Sequence, residues 1–178
     1  MHSWNAPADE REGETKILTV LDGMVKSHQT YLSVPVKDGM ALRLLTEATG
    51  AKNVVEIGTS TGYSGLWLCL ALQKTNGRLT TFEIDHQRAS MAREHFREAG
   101  VEKMVALIEG DADEQVVKLK GPIDIAFIDA DMGGRYGRLC RLSEQTPATR
   151  EAGRIDPREL KTIFYMEGGG PGVTLKKR

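Results

Sequence analysis

The sequence has few cysteines, no excess of basic residues and no long hydrophobic run, and each of these absences excludes a class of protein. Its 178 residues include only two cysteines, too few for a disulfide framework or a zinc cluster, so Cys69 and Cys140 are expected to be free thiols in a reducing compartment. Basic and acidic side chains nearly cancel, with 24 Lys plus Arg against 25 Asp plus Glu. The sequence therefore predicts no basic surface that could neutralise the phosphates of a nucleic acid.

Long hydrophobic runs are also missing. The longest apolar run, residues 65–72, is too short to cross a membrane, and the polar residues 1–13 lack the features of a signal peptide. We therefore expect a cytoplasmic protein that binds no membrane. The length is that of one domain.

The first fifty residues have a helical pattern. Residues 1–14 are charged, small or proline and are expected to form a flexible tail, and a single domain is expected over residues 15–178. Apolar residues recur at helical spacing from Thr15 to Ser27. After an extended stretch around Pro35, Asp38 is expected to cap a second helix that ends near Gly50.

Short β-rich runs then alternate with amphipathic helical stretches. The strands are predicted at 53–57, 78–84, 104–108 and 123–128, and the helices at 62–73, 85–99 and 112–119. Four βα units in series predict an α/β fold with a mostly parallel sheet and helices on both faces. Residues 162–166 and 173–176 predict a C-terminal antiparallel hairpin.

Residues 132–160 differ from the rest of the chain. Six of the thirteen arginines lie between Met132 and Lys161, no lysine lies between Gly121 and Leu160, and large aliphatic residues are sparse. This atypical segment is expected to be loop, short helix or disordered chain.

Four carboxylates follow the predicted parallel strands. Glu56, Glu83, Asp111 and Asp129 each lie at or just past the carboxyl end of one strand. These ends meet at one edge of an open α/β sheet, where ligands bind at the switch in strand order. The alternative is that each acid caps the helix that follows, and for Asp111 the two interpretations are equally open.

The loop after the first predicted strand carries glycines at 58 and 62, which allow a tight turn and a close approach to a ligand. It is not the G-x-G-x-x-G pattern of dinucleotide-binding proteins. Glu56 would repel a pyrophosphate and suits a cationic amine or sulfonium instead. Glu83 is placed to accept hydrogen bonds from the hydroxyls of a ribose.

These residues together resemble the cation-dependent class I S-adenosylmethionine O-methyltransferases, the family of caffeoyl-CoA and catechol O-methyltransferases. The resemblance rests on Val34-Pro35-Val36-Lys37-Asp38-Gly39, Val55-Glu56-Ile57-Gly58-Thr59-Ser60-Thr61-Gly62-Tyr63-Ser64, Thr81-Phe82-Glu83-Ile84-Asp85, Glu109-Gly110-Asp111-Ala112 and Phe127-Ile128-Asp129-Ala130-Asp131, and it resumes from Phe164 to Arg178. It implies a Rossmann-like sheet and methyl transfer to a hydroxyl of a catechol-like or hydroxycinnamoyl small molecule. It also implies a homodimer as one expected assembly.

The resemblance further implies roles for individual residues. Asp129 would be a ligand of a catalytic Mg²⁺ or Ca²⁺, cations that prefer oxygen ligands. The cofactor would be S-adenosylmethionine, held at its methionine part by Glu56, Gly58, Thr59 and Ser64, at its ribose by Glu83, at its adenine by Asp111 and Ala112, at its amino group by Asp131, and touched by Val34.

The sequence departs from the family after Asp131. Met132 stands where relatives carry the lysine that accepts a proton, and the chain has no Asp-Asn pair to complete the metal site. The apolar run of the family's fifth strand is also absent, so we expect a sheet with one strand fewer. A shifted reading frame or an internal deletion over residues 132–160 would explain these departures, and a naturally shortened domain is the alternative.

Two further functions remain open at this point. A non-catalytic protein could bind S-adenosylmethionine or S-adenosylhomocysteine without methyl transfer. An NAD(P)-dependent reductase on a similar sheet is disfavoured by the missing G-x-G-x-x-G pattern.

Overall fold

The fold is known from a computed structural model, which describes residues 8–31, 33–129, 160–164 and 172–176. The α-helices are α1 (Ala8–Lys26), α2 (Val36–Thr49), α3 (Tyr63–Thr75), α4 (His86–Glu98) and α5 (Ala112–Gln115). The strands are β1 (Asn53–Ile57), β2 (Arg78–Glu83), β3 (Val105–Glu109), β4 (Ile125–Ile128), β5 (Leu160–Phe164) and β6 (Gly172–Lys176). Short 3₁₀ turns lie at Glu102–Met104 and Val116–Lys118. None of the helices in the described ranges is long and apolar enough to cross a membrane.

The strands form one mixed sheet in the order β3-β2-β1-β4-β6-β5. The first four are parallel to one another, which confirms the predicted α/β fold and parallel sheet. Because β2 and β3 lie on one side of β1 and β4 lies on the other, the strand order reverses between β1 and β4. This is the switch point, where open α/β sheets bind their ligands.

The C-terminal strands continue the sheet with the opposite direction. β6 pairs antiparallel with β4, and β5 pairs antiparallel with β6. The connection between β5 and β6 lies outside the described residues, so the hairpin itself stays a prediction. The atypical segment and the predicted loss of one strand also fall outside the described residues, apart from Leu160.

Alternation along the strands divides the core into two layers. Val54 and Phe127 belong to a large cluster that includes side chains of α1, α2, α3 and α4. Val55 and Ile57 point to the other face, where they pack with partly buried residues of α5 and the turn after it. α4 packs on the sheet through one face, since Ala89, Ala92, Phe96 and Ala99 are all buried.

Two predictions about α1 and α2 are wrong. α1 begins at Ala8 rather than at Thr15. Charged residues also form helix, and the ion pair between Glu12 and Lys16 stabilises the part of α1 that precedes the apolar pattern. The flexible tail is therefore not supported for residues 8–14, and residues 1–7 lie outside the described ranges.

Asp38 is not the cap of α2. The helix begins at Val36 after Pro35, whose carbonyl oxygen accepts hydrogen bonds from the backbone N–H groups of Asp38 and Gly39, both at 3.0 Å. Asp38 therefore lies inside the first turn, and its side chain is buried at 4% exposure. The predicted end of the helix is confirmed, because Gly50 adopts the left-handed conformation that closes it.

Candidate functional site

The structure brings the four predicted acids to one edge of the sheet. Glu56 lies near the end of β1, Glu83 ends β2, and Asp111 and Asp129 follow β3 and β4. The turns here are tied to their neighbouring strands: the N–H of Asp129 donates to the carbonyl of Ile57 at 2.8 Å, and that of Gly110 to Glu83 at 2.9 Å.

Glu56 is the centre of a buried hydrogen-bond network. The Ser64 hydroxyl in the first turn of α3 donates to Oε1 of Glu56 at 2.5 Å, and the Thr81 hydroxyl of β2 donates to Oε2 at 2.6 Å. The Thr59 hydroxyl lies 2.5 Å from that of Thr81. Since Thr81 gives its proton to Glu56, Thr59 donates to Thr81 when the carboxylate is ionised.

The protonation of Glu56 reflects its complete burial. Desolvation raises its pKa to about 7, against the opposing effect of the Ser64 and Thr81 hydroxyls, and the negative charges of Asp129 and Glu83 raise it further. A cation placed beside Glu56 would favour the ionised form. This carboxyl group is therefore balanced between two protonation states near neutral pH.

The carboxylate of Glu83 accepts hydrogen bonds from backbone groups, one of them in the loop after β1. The backbone N–H of Ser60 donates to its Oε2 at 2.6 Å, and that of Asp85 to its Oε1 at 3.0 Å. Glu83 is 6% exposed. Each oxygen of an ionised carboxylate can accept more than one hydrogen bond, so acceptor capacity remains for a ligand's hydroxyls.

The glycine loop between β1 and α3 has the tight geometry that its sequence predicts. Gly58 and Gly62 have φ of 97° and 89°, and Ser60 between them also lies in the left-handed region at 48°. The N–H groups of Gly58 and Thr59 both donate to the carbonyl of Phe82 at 3.0 Å. A Cβ on Gly62 would lie 3.1 Å from the Phe96 ring, so this glycine also permits close packing of α4.

A second set of contacts joins this loop to the segment after α1. The Thr61 hydroxyl donates to the Gln29 carbonyl at 2.8 Å, and Nδ1 of His95 lies 2.8 Å from the Thr61 carbonyl oxygen. Nε2 of His95 lies 3.3 Å from Oε1 of Gln29. No motif in the sequence indicates this arrangement, because the three residues lie on separate elements.

Asp111 is observed as a helix cap. Its side chain accepts from the N–H of Asp113 at 2.9 Å, which closes the first turn of α5 where Ala112 begins the helix. The helix-cap role, one of the two interpretations left open for Asp111, is therefore observed. Contacts of Asp111 and Ala112 with an adenine stay predictions. Val34 is buried at 6% exposure between α1 and α2.

The charge of Asp129 is coupled to that of Asp38, the acid that the sequence predicts as the cap of α2. Burial raises the pKa of Asp129 to about 6, and the negative charge of the Asp38 carboxylate raises it further. Oδ2 of Asp38 is buried without a hydrogen-bond partner among the described residues. We refer to four carboxylates as the acidic cluster: Asp38, Glu56, Glu83 and Asp129.

No cation compensates the acidic cluster within the part of the chain that the structure describes. None of the ion pairs found there includes any of its four members. Buried carboxylates without a positive partner are costly, and a cationic ligand relieves that cost. The cluster and the glycine loop together can therefore hold a small positively charged molecule.

A resident metal ion fits the described residues less well. Within those residues no group of three or more His, Cys, Asp or Glu side chains is arranged to hold one. Predicted site residue Asp131 and the atypical residue Met132 lie outside the described ranges.

Comparison with known proteins agrees with this geometry. A sequence profile of the O-methyltransferase family matches residues 9–139. The catechol O-methyltransferase of Niastella koreensis is 36% identical over 119 residues, which cover 65% of this chain and 53% of the relative. This chain thus spans about half the length of that relative.

A protein of Mycobacterium tuberculosis that carries the name O-methyltransferase is 42% identical over 169 residues, covering 79% of this chain and 75% of the relative. Because 79% of 178 residues is fewer than 169, the alignment contains positions of the relative that have no counterpart in this chain.

Among solved structures, the O-methyltransferase from Bacillus cereus in complex with SAH has the same fold, with a TM-score of 0.58 at 20% identity over 92% of this chain and 91% of that one. The profile covers most of the described residues and all four members of the acidic cluster. The chain belongs to the O-methyltransferase family.

Proposed function

We propose that this chain binds S-adenosylmethionine at the carboxyl ends of β1 to β4 and transfers its methyl group to a hydroxyl oxygen of a small aromatic acceptor. The acceptor class is catechol-like or hydroxycinnamoyl, in keeping with the name of the Niastella koreensis relative. The site is the acidic cluster and the glycine loop beside it.

The observation that carries this proposal is the buried negative charge at the switch point. Glu56 is 0% exposed and Glu83 6% exposed, and no described cation pairs with either. S-adenosylmethionine carries a sulfonium and an ammonium group, so it supplies the positive charge that the site lacks. The SAH in the related Bacillus cereus structure supports the same choice of cofactor.

Each predicted residue would contact or position a different part of the cofactor. Both oxygens of Glu56 already accept hydroxyl hydrogen bonds, so its part is to fix Ser64 and Thr81 and to provide negative charge. Gly58 and Thr59 would line the methionine part, and Val34 would contact it from the segment before α2. Glu83 would accept hydrogen bonds from the ribose, with Asp111 and Ala112 beside the adenine.

When bound, S-adenosylmethionine supplies an activated methyl group on a good leaving group. The protein then has to hold the acceptor oxygen in line behind the methyl carbon and to exclude water from the displacement. Methyl transfer is favoured further when the acceptor hydroxyl loses its proton, and no described residue is assigned that step.

Cation dependence stays a prediction. The resemblance implies that Asp129 is the catalytic residue and a ligand of Mg²⁺ or Ca²⁺, but the described residues include no group of three His, Cys, Asp or Glu side chains that could hold a metal ion. The sequence also contains no Asp-Asn pair. We therefore route no step through a metal ion.

A non-catalytic cofactor-binding protein is the second candidate. It is favoured by Met132 at the position where relatives carry a proton-accepting lysine, together with the missing Asp-Asn pair. Both features affect the transfer step and leave the acidic cluster intact. Under this alternative the chain binds cofactor and releases it unchanged.

The experiment that separates the two candidates is methyl transfer followed by mass spectrometry. The chain is incubated with S-adenosylmethionine carrying a deuterated methyl group and with catechol or caffeoyl-CoA, in Mg²⁺ and separately in EDTA. A labelled methyl ether that Glu83→Gln abolishes supports the O-methyltransferase. No product in either buffer, with cofactor bound, supports the non-catalytic protein.

A homodimer and a cytoplasmic location also stay predictions. Light scattering of the purified chain measures the first, and fractionation of the source cells measures the second.

A further inference from the structure

His95 is a buried polar side chain to which the proposed function gives no role. It lies in the last turn of α4, and only 7% of its surface is exposed. Both ring nitrogens have partners: Nδ1 lies 2.8 Å from the carbonyl oxygen of Thr61, and Nε2 lies 3.3 Å from Oε1 of Gln29. One side chain of α4 therefore contacts both the glycine loop and the segment after α1.

The partners of His95 determine which ring nitrogen carries hydrogen. A backbone carbonyl oxygen only accepts hydrogen bonds, so Nδ1 donates to Thr61. The side-chain amide of Gln29 has an acceptor oxygen at one end and an N–H donor at the other, and a half-turn exchanges them. Gln29 can therefore donate to Nε2 of a neutral ring or accept from Nε2 of a protonated one. The contact of His95 with the loop is available in both protonation states.

Thr61 and Gln29 also contact each other. The Thr61 hydroxyl donates to the backbone carbonyl of Gln29 at 2.8 Å, and Thr61 is 0% exposed. Gln29, Thr61 and His95 therefore form a closed set of three hydrogen bonds, which we call the loop bridge. Because a buried polar group without a partner is costly, the loop bridge resists separation of any of its three members.

The segments that the loop bridge joins have unfavourable backbone conformations. Ser60, directly before Thr61, is a non-glycine residue with φ of 48°. On the other segment, His28 and Tyr31 on either side of Gln29 have φ of 57° and 46°. Non-glycine residues in this region persist where surrounding contacts hold them. The loop bridge supplies such contacts to both segments.

The loop bridge is connected to the proposed cofactor site through the backbone. The N–H of Ser60 donates to Oε2 of Glu83 at 2.6 Å, and Ser60 is covalently bonded to Thr61. A displacement of Thr61 therefore moves Ser60 relative to the carboxylate that is proposed to bind the ribose. Gly58 and Thr59, which are proposed to line the methionine part, lie in the same loop.

We propose that His95 is a positioning residue for cofactor binding. Through Thr61 it holds the glycine loop in the conformation that binds the cofactor, and through Gln29 it makes that conformation depend on the segment after α1. This inference rests on the proposed function, because the ligand of the loop is S-adenosylmethionine. His95 acts through Thr61 and needs no contact with the cofactor, so its removal should lower cofactor affinity in a protein that stays folded.

Calorimetric titration with S-adenosylhomocysteine tests the inference on variants chosen for the atoms that they keep. His95→Leu removes both ring nitrogens and should weaken binding about tenfold. His95→Asn keeps an N–H donor near the position of Nδ1 and should stay within about threefold of the wild type. Gln29→Met removes only the side-chain amide, since the backbone carbonyl that Thr61 contacts remains, and should cause a loss similar to that of His95→Asn.

Thr46→Val is the control for a merely structural role of His95. The Thr46 hydroxyl is 0% exposed and donates to the carbonyl of Leu42 at 2.8 Å. The Thr46 carbonyl accepts from the N–H of Ala51, just before β1, so Thr46 lies toward the opposite edge of the sheet from the glycine loop. Thr46→Val should therefore lose stability and keep the wild-type affinity. If His95→Leu also keeps that affinity, the inference is overturned.

Amide hydrogen exchange adds a measurement that needs no ligand. The N–H of Ser60 is held by Glu83 and lies next to the loop bridge. It should exchange faster in His95→Leu than in Thr46→Val, because the first variant loosens the loop and the second lowers only the overall stability. Equal exchange of this amide in the two variants would overturn the inference.

A double variant tests whether His95 and Gln29 act together. His95→Leu combined with Gln29→Met should bind S-adenosylhomocysteine about as well as His95→Leu alone, because the second change removes a contact that is already lost. Losses that multiply would overturn the dependence of the loop on the segment after α1. If His95→Leu does not fold, Thr61→Val takes its place: it removes the hydrogen bond to the Gln29 carbonyl and should weaken binding, and wild-type affinity would overturn the inference.

The titration also distinguishes this inference from the function beneath it. A folded wild type that does not bind S-adenosylhomocysteine removes the proposed function and the inference with it. A wild type that binds, together with a His95→Leu variant that binds equally well, removes the inference alone.

Discussion

The Ser64 hydroxyl donates a hydrogen bond of 2.5 Å to Oε1 of Glu56, and this contact joins the first turn of α3 to the end of β1 inside the sheet. Neither residue is exposed by more than 5%. The contact fixes the helix that follows the glycine loop relative to the strand that precedes it, so the loop is held from both ends.

Replacing Ser64 with Ala should therefore destabilise the fold. The change leaves one oxygen of a buried carboxylate without its donor, which costs about 1–3 kcal/mol. Urea unfolding at pH 7 measures the loss. Ser27→Ala is the control, since that hydroxyl bonds only local groups at the exposed end of α1, and an equal loss in both variants would contradict the account.

The stability of the fold should fall as pH rises toward neutrality, in part because of Glu56. Its folded pKa is about 7 against an ordinary 4.5, so the folded state holds a proton that the unfolded state has released. The favourable contribution is present below about pH 4.5 and is lost as pH rises through 7, a change of about 3 kcal/mol for this shift.

Unfolding free energies of the wild type and of Glu56→Gln between pH 5 and pH 8 check this prediction. The glutamine variant cannot titrate at this position, so its stability should decline less over the same range. Curves that stay parallel at every pH would show that Glu56 is not the group responsible.

Two helical glycines should respond in opposite ways to alanine. A Cβ on Gly39 would lie 2.3 Å from Cδ1 of Trp67, so Gly39→Ala forces the turn and the indole apart and should cost about 1–3 kcal/mol. Gly23 in α1 has nothing within 4 Å of its added Cβ, and Gly23→Ala should stabilise by about 0.5–1 kcal/mol. Thermal melts of both variants compare them directly, and a shift of the same sign in both would contradict the packing described for α2 and α3.

Asp124 should stabilise the start of the central strands. Its Oδ2 accepts from the N–H groups of Lys52 and Asn53 at 2.8 and 2.9 Å, which joins the segment before β4 to the start of β1. Asp124→Ala should cost about 1–2 kcal/mol in urea unfolding. Asp124→Asn retains an acceptor oxygen and should lose less; an alanine variant as stable as the wild type would show that these bonds contribute nothing.

Much of the parallel sheet could be predicted because its strands are short apolar runs bounded by turn residues. β1 has the predicted bounds, residues 53–57, and β2 begins at the predicted Arg78. The meeting of Glu56, Glu83, Asp111 and Asp129 at one edge of the sheet was also predictable, since the position of a residue at a strand end depends on that strand alone. Asp85 caps α4, where its side chain accepts a hydrogen bond from the N–H of Arg88.

The rest depends on contacts between distant elements. A pattern of spacing assigns Asp38 to a cap, whereas the structure places it inside the first turn of α2 and buries its side chain. His95 is similar, since its partners Thr61 and Gln29 come from two other parts of the chain. Local sequence carries no signal for either arrangement.

The atypical segment is tested best at the level of the gene. The hypothesis of a shifted frame or an internal deletion predicts that another reading frame across residues 132–160 encodes an apolar strand followed by Asp-Asn. If all three frames lack that pattern, the hypothesis fails and a naturally shortened domain is left.

The most direct test of the central claim is calorimetric titration of the purified chain with S-adenosylhomocysteine, in Mg²⁺ and in EDTA. We predict saturable binding at one site in both buffers, weakened at least tenfold by Glu83→Gln and unchanged by Glu12→Gln on the exposed face of α1. A folded protein that releases no heat of binding, or a Glu83→Gln variant that binds as tightly as the wild type, would contradict the claim that the acidic edge of this sheet is the cofactor site.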